Sequence, residues 1–194
     1  MALLHMALTE TPPPAGATTD VALVAALRRR EARAFDELYR RYHVRLWRFL
    51  VRLGGTHVAE DLFQDTWLAV AKHAANLKDD TDFAAWIFTI ARNRFLSHRR
   101  WAFVDRVRRE WFGKEPSMAV VEPERAAVAR QETVRLEHAL ETLAPIHREV
   151  LLLVVVEGLT TEQVGKILDL QNEAVRKRLS RARAALAERL EERP

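Results

Sequence analysis

From Asp20 to Glu115 the chain carries no proline, and its only glycines there are Gly54, Gly55 and Gly113. A stretch so poor in both breakers, and filled with Ala, Leu, Arg and Glu, favours long helices. Later breaks fall at Pro116, Pro123, Pro145 and Gly158, and the segments between them are again rich in helix formers. No alternating β-branched stretch bounded by turns occurs, so no strand is expected. Val150–Val156 is apolar enough to read locally as a strand, but its helical flanks predict a buried helix instead. The expected fold class is all-α.

The aromatic residues divide that helical chain. All five Trp, eight Phe and two Tyr lie between Phe35 and Phe112. Such a shift predicts two small helical domains with different cores. Pro12-Pro13-Pro14 and the small residues around it mark residues 1–19 as a disordered tail. Residues 20–112 form the first domain. The stretch GKEPSMAVVEPE, with its two prolines and three glutamates, marks 113–130 as a flexible linker. Residues 131–194 form the second domain.

Composition excludes several classes. The chain of 194 residues has no cysteine, so it holds no disulfide, no CxxC zinc site and no thiol switch. Its 31 Lys and Arg against 27 Asp and Glu leave a net charge of only +4, so distribution matters more than the sum. The opening MALLHMALTE lacks a basic start and a cleavage site, and is no secretory signal. Histidines are scattered, and no Gly-rich phosphate loop or nucleophile motif occurs. An enzyme is therefore not expected, nor a cofactor.

Residues 158–179 read as helix, tight turn, helix. Thr160 suits an N-cap, and Leu159, Val164, Ile167 and Leu168 make the buried side of the first helix. Asp169 stands at the turn, where a left-handed backbone is needed. Asn172 is a candidate cap for the second helix. There, Val175, Leu179, Ala182, Leu186 and Leu190 define one apolar face. The opposite side carries Glu173, Lys177, Ser180, Arg181 and Ala184, with Arg176 and Arg178 at the edges. Arg, Lys and Ser on the exposed side of such a helix suit contact with base edges and phosphates in a major groove. A solvated basic face on an ordinary bundle helix is the plainer reading of the same pattern.

In the first domain, Phe83-Ala-Ala-Trp86-Ile-Phe88-Thr-Ile-Ala-Arg92-Asn93-Arg94 opens a basic, aromatic segment with Asp82 as candidate N-cap. Eight Lys and Arg lie between Arg92 and Lys114, against Asp105 and Glu110 alone. They alternate with Trp86, Phe88, Phe95, Trp101 and Phe103. Basic residues track a phosphate backbone and aromatic faces stack unpaired bases; Asn93 suits the edge of an extruded base. For any one aromatic, the core is the competing placement. Upstream, Ala59–Val70 is an amphipathic helix. Glu60, Asp61, Gln64 and Asp65 gather near one side, while Leu62, Phe63, Trp67, Leu68 and Val70 supply apolar residues. An acidic side on a basic domain points to a protein partner with a positive surface. His57, Glu60 and Asp61 have helical metal-ligand spacing, but no second ligand set follows, so no metal site is expected.

Taken in order, these motifs resemble the extracytoplasmic-function (group 4) sigma factors of the sigma-70 family, over about residues 20–192. Phe35-Asp-Glu-Leu-Tyr-Arg-Arg-Tyr42 resembles the start of region 2. Ala59-Glu-Asp-Leu-Phe-Gln-Asp-Thr-Trp67 resembles its core-polymerase-binding helix. The segment from Phe83 resembles the promoter-melting and −10-reading part. Leu143–Val150, Glu157–Val164 and Leu179-Ser-Arg-Ala-Arg183 resemble region 4. The resemblance implies an alternative sigma factor, cytoplasmic or held at the membrane by an anti-sigma factor, which catalyses nothing itself. Glu60, Asp61, Gln64 and Asp65 would dock on the beta-prime clamp helices of core RNA polymerase, with the beta flap as a further contact. Trp86, Phe88, Asn93, Arg94, Arg99 and Arg100 would serve the −10 element and its opened strand. Arg176, Lys177, Arg178, Ser180 and Arg181 would read the −35 element of promoter DNA.

The sequence departs from the family at three places. Gln171-Asn-Glu-Ala174 replaces the family's Pro-x-Gly-Thr-like approach to the recognition helix. Glu173 puts a carboxylate where DNA approaches, suited to accepting from a cytosine amine. Gly165 replaces a typical alanine and is expected to loosen its helix by about 1 kcal/mol at most. The chain ends just past the recognition helix, so no C-terminal regulatory domain is expected and control would come from a separate partner. A helix-turn-helix regulator acting without core polymerase is the alternative; it leaves the acidic helix and the aromatic-arginine segment unused.

Overall fold

The computed structural model describes residues 18–112 and 128–191, with side chains placed for 18–102 and 134–191. Among the described residues the regular structure is helical, with no strand. The first half holds α1 (Asp20–Arg28), α2 (Ala32–Gly54), α3 (Thr56–His73) and α4 (Phe83–Phe112). The second holds α5 (Val128–Thr142), α6 (Pro145–Leu151), α7 (Thr161–Leu168) and α8 (Asn172–Glu191). A 3₁₀ turn covers Ala74–Asn76 and a π turn covers Leu152–Val156. The tail through residue 17 and the linker from 113 to 127 lie outside the described residues. α5 begins at Val128, inside the stretch expected as linker.

Local chemistry sets the boundaries. Thr19 Oγ1 accepts the Ala22 amide at 3.3 Å and opens α1. Gly55, at φ 83°, joins α2 to α3 with no intervening loop, its amide donating to Val51 O at 2.8 Å. That left-handed backbone is one a side chain resists. Asp82 Oδ1 accepts the Ala85 amide at 3.1 Å and caps α4 as expected. Pro145 starts α6 at a position where its missing N–H costs nothing. The apolar run Val150–Val156 is helical, as expected, but its second part is wound wider. The Glu157 amide reaches back five residues to Leu152 O at 2.9 Å.

Aromatic rings build the first core. Phe49 and Phe88 meet edge to face at 5.2 Å, and Tyr42 meets Phe83 at 5.1 Å. The Tyr42 hydroxyl donates to Asp20, tying α1 to α2. Burial raises the Tyr42 pKa above its ordinary value, and the Asp20 carboxylate pushes it the same way. The second core is aliphatic: Val150, Leu152, Leu153, Val164, Ile167, Val175 and Ala182.

The two cores differ as expected, one aromatic and one aliphatic, but they are not isolated from each other. The buried residues of both halves form one contiguous cluster, because α7 packs on α4 and the α6–π segment packs on α2. Two carboxylates are buried in that seam. Glu157 lies 3.1 Å from Arg45 of α2, and Glu149 lies 3.3 Å from Arg92 of α4. Among the described residues, no helix is long and apolar enough to cross a membrane.

Candidate nucleic-acid interface

α4 presents the first basic surface. At about 100° per residue, Trp86, Asn93 and Arg100 repeat every seven positions and form one line. Trp86 is half-buried, while Asn93 and Arg100 are exposed. Arg94, also exposed, stands beside that line, 3.8 Å from Asp65 of α3. The remaining expected positions fall elsewhere. Phe88 is fully buried against Phe49, so its ring has no face to offer a base: the helical period turns it into the core. Arg99 is exposed but sits about 120° from Asn93 around the helix. Its guanidinium lies 5.7 Å over the Phe95 ring. It faces the seam, near Arg148, whose pKa is held below its ordinary value mainly by burial and further by Arg99.

Trp101 was counted among the aromatics of this segment but not among the residues expected at the −10 element. It is 75% exposed and, seven residues after Arg94, shares that residue's side of α4. The seven-residue spacing was the signal that could have found it. A large apolar ring left in water beside two arginines offers a stacking surface.

α7 and α8 build the second basic surface. Thr160 Oγ1 accepts the Gln163 amide at 3.2 Å, and the Gln163 side chain accepts the Thr160 amide at 2.8 Å. This reciprocal cap fixes the start of α7. Asp169 takes φ 56°, ψ 54°, the left-handed turn expected of it. The buried sides of both helices are as expected, except that Leu190 is only partly buried. Asn172 does not cap α8. Its amide donates to Glu162 across the turn, and its Oδ1 has no hydrogen-bond partner. Its own amide, Thr160 and the Asn172 side chain hold the Glu162 carboxyl below its ordinary pKa, and nearby Arg176 adds to the effect.

Gly165 has a different role from the one its helix propensity suggests. A Cβ built there would lie 2.7 Å from the Leu170 carbonyl oxygen. The glycine lets the turn close against its own helix, where the Leu170 amide donates to Gly165 O at 2.9 Å. On the open side of α8, Arg176, Lys177, Ser180 and Arg181 are exposed and Arg178 is half-buried. Lys177 Nζ lies 2.6 Å from Glu173, so that carboxylate already has a cation beside it.

α3 carries the acidic surface. Glu60, Asp61, Gln64 and Asp65 are all exposed. Leu68 was expected among the apolar residues of this helix, yet it is 67% exposed and lies among those four. Trp67 is turned inward, edge-on to Phe35 at 5.7 Å and tilted against Tyr39 at 4.8 Å. Among the described residues, no group of three or more His, Cys, Asp or Glu is placed to hold a metal ion.

Comparison with known proteins matches both halves. The family described as Sigma-70 region 2 matches residues 38–103, and that described as Sigma-70, region 4 matches residues 133–186. The ECF RNA polymerase sigma factor SigE of Mycolicibacterium smegmatis is 32% identical over 161 residues, covering 81% of this chain and 62% of that longer protein. The RNA polymerase sigma factor CarQ of Myxococcus xanthus is 32% identical over 163 residues, covering 82% of this chain and 90% of CarQ. Among solved structures, CnrH in complex with the cytosolic domain of CnrY superposes with a TM-score of 0.69 at 26% identity, over 90% of this chain and 99% of that one. The sigma factor RpoE of Bartonella quintana, bound to the anti-sigma factor NepR, superposes with a TM-score of 0.65 at 25% identity, over 81% and 99%.

Proposed function

The chain belongs to the extracytoplasmic-function group of the sigma-70 family, and from that premise we propose a division of labour among its three exposed surfaces. The acidic surface of α3, with Glu60, Asp61, Gln64 and Asp65 around exposed Leu68, docks on the beta-prime clamp helices of core RNA polymerase. An apolar centre ringed by polar residues is the arrangement that gives interfaces their affinity. Trp86, Asn93, Arg94 and Arg100 on α4 take the opened −10 strand. Arg176, Lys177, Ser180 and Arg181 on α8 read the −35 element as duplex, where Arg pairs with guanine edges and phosphates. Residues 20–112 and 131–194 are the units that carry these tasks.

One observation carries the reading. A single chain exposes two basic helical surfaces and one acidic surface, each on a different helix. A DNA-binding regulator needs only the basic ones. In this scheme the polymerase performs the chemistry and the chain positions it at a promoter. The work is cytoplasmic, where polymerase and chromosome are. Because RpoE of Bartonella quintana is seen with an anti-sigma factor, a partner of that kind is proposed to control this chain too.

The test is competition for core RNA polymerase against the housekeeping sigma factor. Saturable 1:1 displacement is expected, weakened when Asp61 and Asp65 are both reversed to lysine. Absence of binding by the folded wild-type chain would overturn the reading.

A further inference from the structure

A cleft outside those three surfaces opens where the end of α1, the start of α2 and the end of α3 with its 3₁₀ turn meet. It encloses about 440 Å³, the size of a small-molecule site. Leu27, Phe35, Ala71, Ala74 and Ala75 supply its apolar wall, and Arg30 and Lys72 also border it. Leu27 and Ala74 are buried, Phe35 is half-buried, and both cations are exposed.

Arg30 stands where a side chain is strained. Its amide donates to Leu27 O at 2.9 Å, and the Glu31 amide donates to Ala26 O at 3.2 Å. This pair of bonds ends α1 in the motif that ordinarily puts glycine at the left-handed position. Arg30 takes φ 61° there instead. Strain of this kind gathers where a side chain is used, and this one reaches the cleft. The carboxylates nearby are engaged elsewhere: Glu31 lies 2.7 Å from Arg29, and Asp79 pairs with Arg28. Glu31 also gives no side-chain bond to the first turn of α2, so the positive end of that helix dipole adds to the two cations.

We propose that this cleft binds a medium-chain alkyl carboxylate, its chain on the apolar wall and its head between Arg30 and Lys72. Exposed cations alone hold an anion weakly in salt water. An apolar wall alone has no charge preference. Together they select a molecule that carries both an anionic head and an apolar body. Among the described residues, no neutral polar side chain lines the cleft, so nothing there reads the base or sugar of a nucleotide. Lys72 follows Asp65 by two turns on one side of α3, so the occupied cleft borders the acidic surface of that helix without using its residues.

The alanines make the test direct. Decanoate, kept below the concentration at which it forms micelles, is titrated into the full chain carrying ¹³C-labelled alanine methyls. Saturable 1:1 shifts are expected at Ala71, Ala74 and Ala75, and none at Ala139 or Ala182 in the other half. Acetate and inorganic phosphate, which lack the chain, and decyltrimethylammonium, which reverses the head charge, are expected to produce no saturable shift at those methyls. Arg30→Gly and Lys72→Glu should each weaken decanoate binding at least about tenfold, as loss of a charge-assisted contact predicts. Arg30→Gly should at the same time melt at or above wild type, because glycine is at ease in the left-handed backbone. Absence of saturable shifts in the wild-type chain would overturn the proposal, as would equal affinity in both variants or equal binding of the decyl cation. Co-sedimentation with phosphatidylglycerol vesicles, lost in the two variants and unaccompanied by decanoate binding, would assign the cations to a lipid surface and overturn the soluble ligand.

Discussion

Replacing Gly165 by alanine separates two accounts of the helix-turn-helix. Helix propensity alone says that alanine stabilises α7 by up to about 1 kcal/mol. The geometry says the opposite. The new Cβ would stand 2.7 Å from Leu170 O, so the turn must retreat by at least 0.3 Å merely to reach 3.0 Å, the shortest approach such atoms tolerate. The obstacle is backbone, held by the Leu170 amide bond to Gly165 O and by the left-handed Asp169. It cannot swing aside as a side chain would. Overpacking of this kind costs roughly 1–3 kcal/mol, which outweighs the propensity gain. A net loss of about 1 kcal/mol is expected, with the melting temperature falling by about 2–4 °C for a chain of this size. Because α8 follows the turn directly, binding to −35 duplex should weaken as well. Thermal unfolding by circular dichroism and fluorescence anisotropy with labelled duplex read the two effects. A Gly165→Ala protein melting at or above the wild-type temperature, with unchanged affinity, would refute the close approach.

Other perturbations test the remaining assignments. Arg181→Ala should weaken −35-dependent binding by roughly 1–3 kcal/mol, about 5- to 150-fold; equal weakening on scrambled duplex would assign it to phosphate alone. Phe88→Ala should destabilise the fold by roughly 3–5 kcal/mol through a core cavity, whereas Asn93→Ala should slow promoter opening, seen by permanganate reactivity, and leave melting and core binding unchanged. Hydrogen bonds from Arg40 and Arg41 hold the Glu37 carboxyl down to about 2, from 4.5. A depressed folded pKa gives stability that is fully present above 4.5 and lost as pH falls through about 2. Glu37→Gln should therefore melt below wild type at neutral pH, with the gap closing toward pH 2; a gap independent of pH would remove the ion pairs as its cause.

Periodicity made much of the molecule legible. The apolar stripe from Val175 to Leu186, the Thr160 cap, the Asp82 cap and the left turn at Asp169 follow from local rules, and the structure obeys them. The misplacements share a cause. Phe88 was grouped with Trp86 because both are aromatic and near arginines. Two residues apart on a helix, they face different ways, and packing against Phe49 decides which is inside. Leu68 was counted as apolar filler, yet its helix turns it outward among acids. Asn172 had the chemistry of a cap, but Glu162, ten residues earlier, draws its amide away. Gly165 read as a weak point because nothing local reveals that Leu170 O folds back over it.

The sequence by itself determined the helices, their caps, the amphipathic faces and the separation into an aromatic and an aliphatic half. All of these depend on neighbours within a few positions, where spacing fixes geometry. Only the tertiary structure decided that the two cores meet, and that Arg45 and Arg92 find Glu157 and Glu149 across 112 and 57 residues of chain. Nothing in the spacing of these four residues distinguishes them from other charges on the same helices. What distinguishes them is burial. A carboxylate taken out of water needs a cation beside it, and only the packing of α6 and the π turn against α2, and of α7 against α4, determines which arginines stand there.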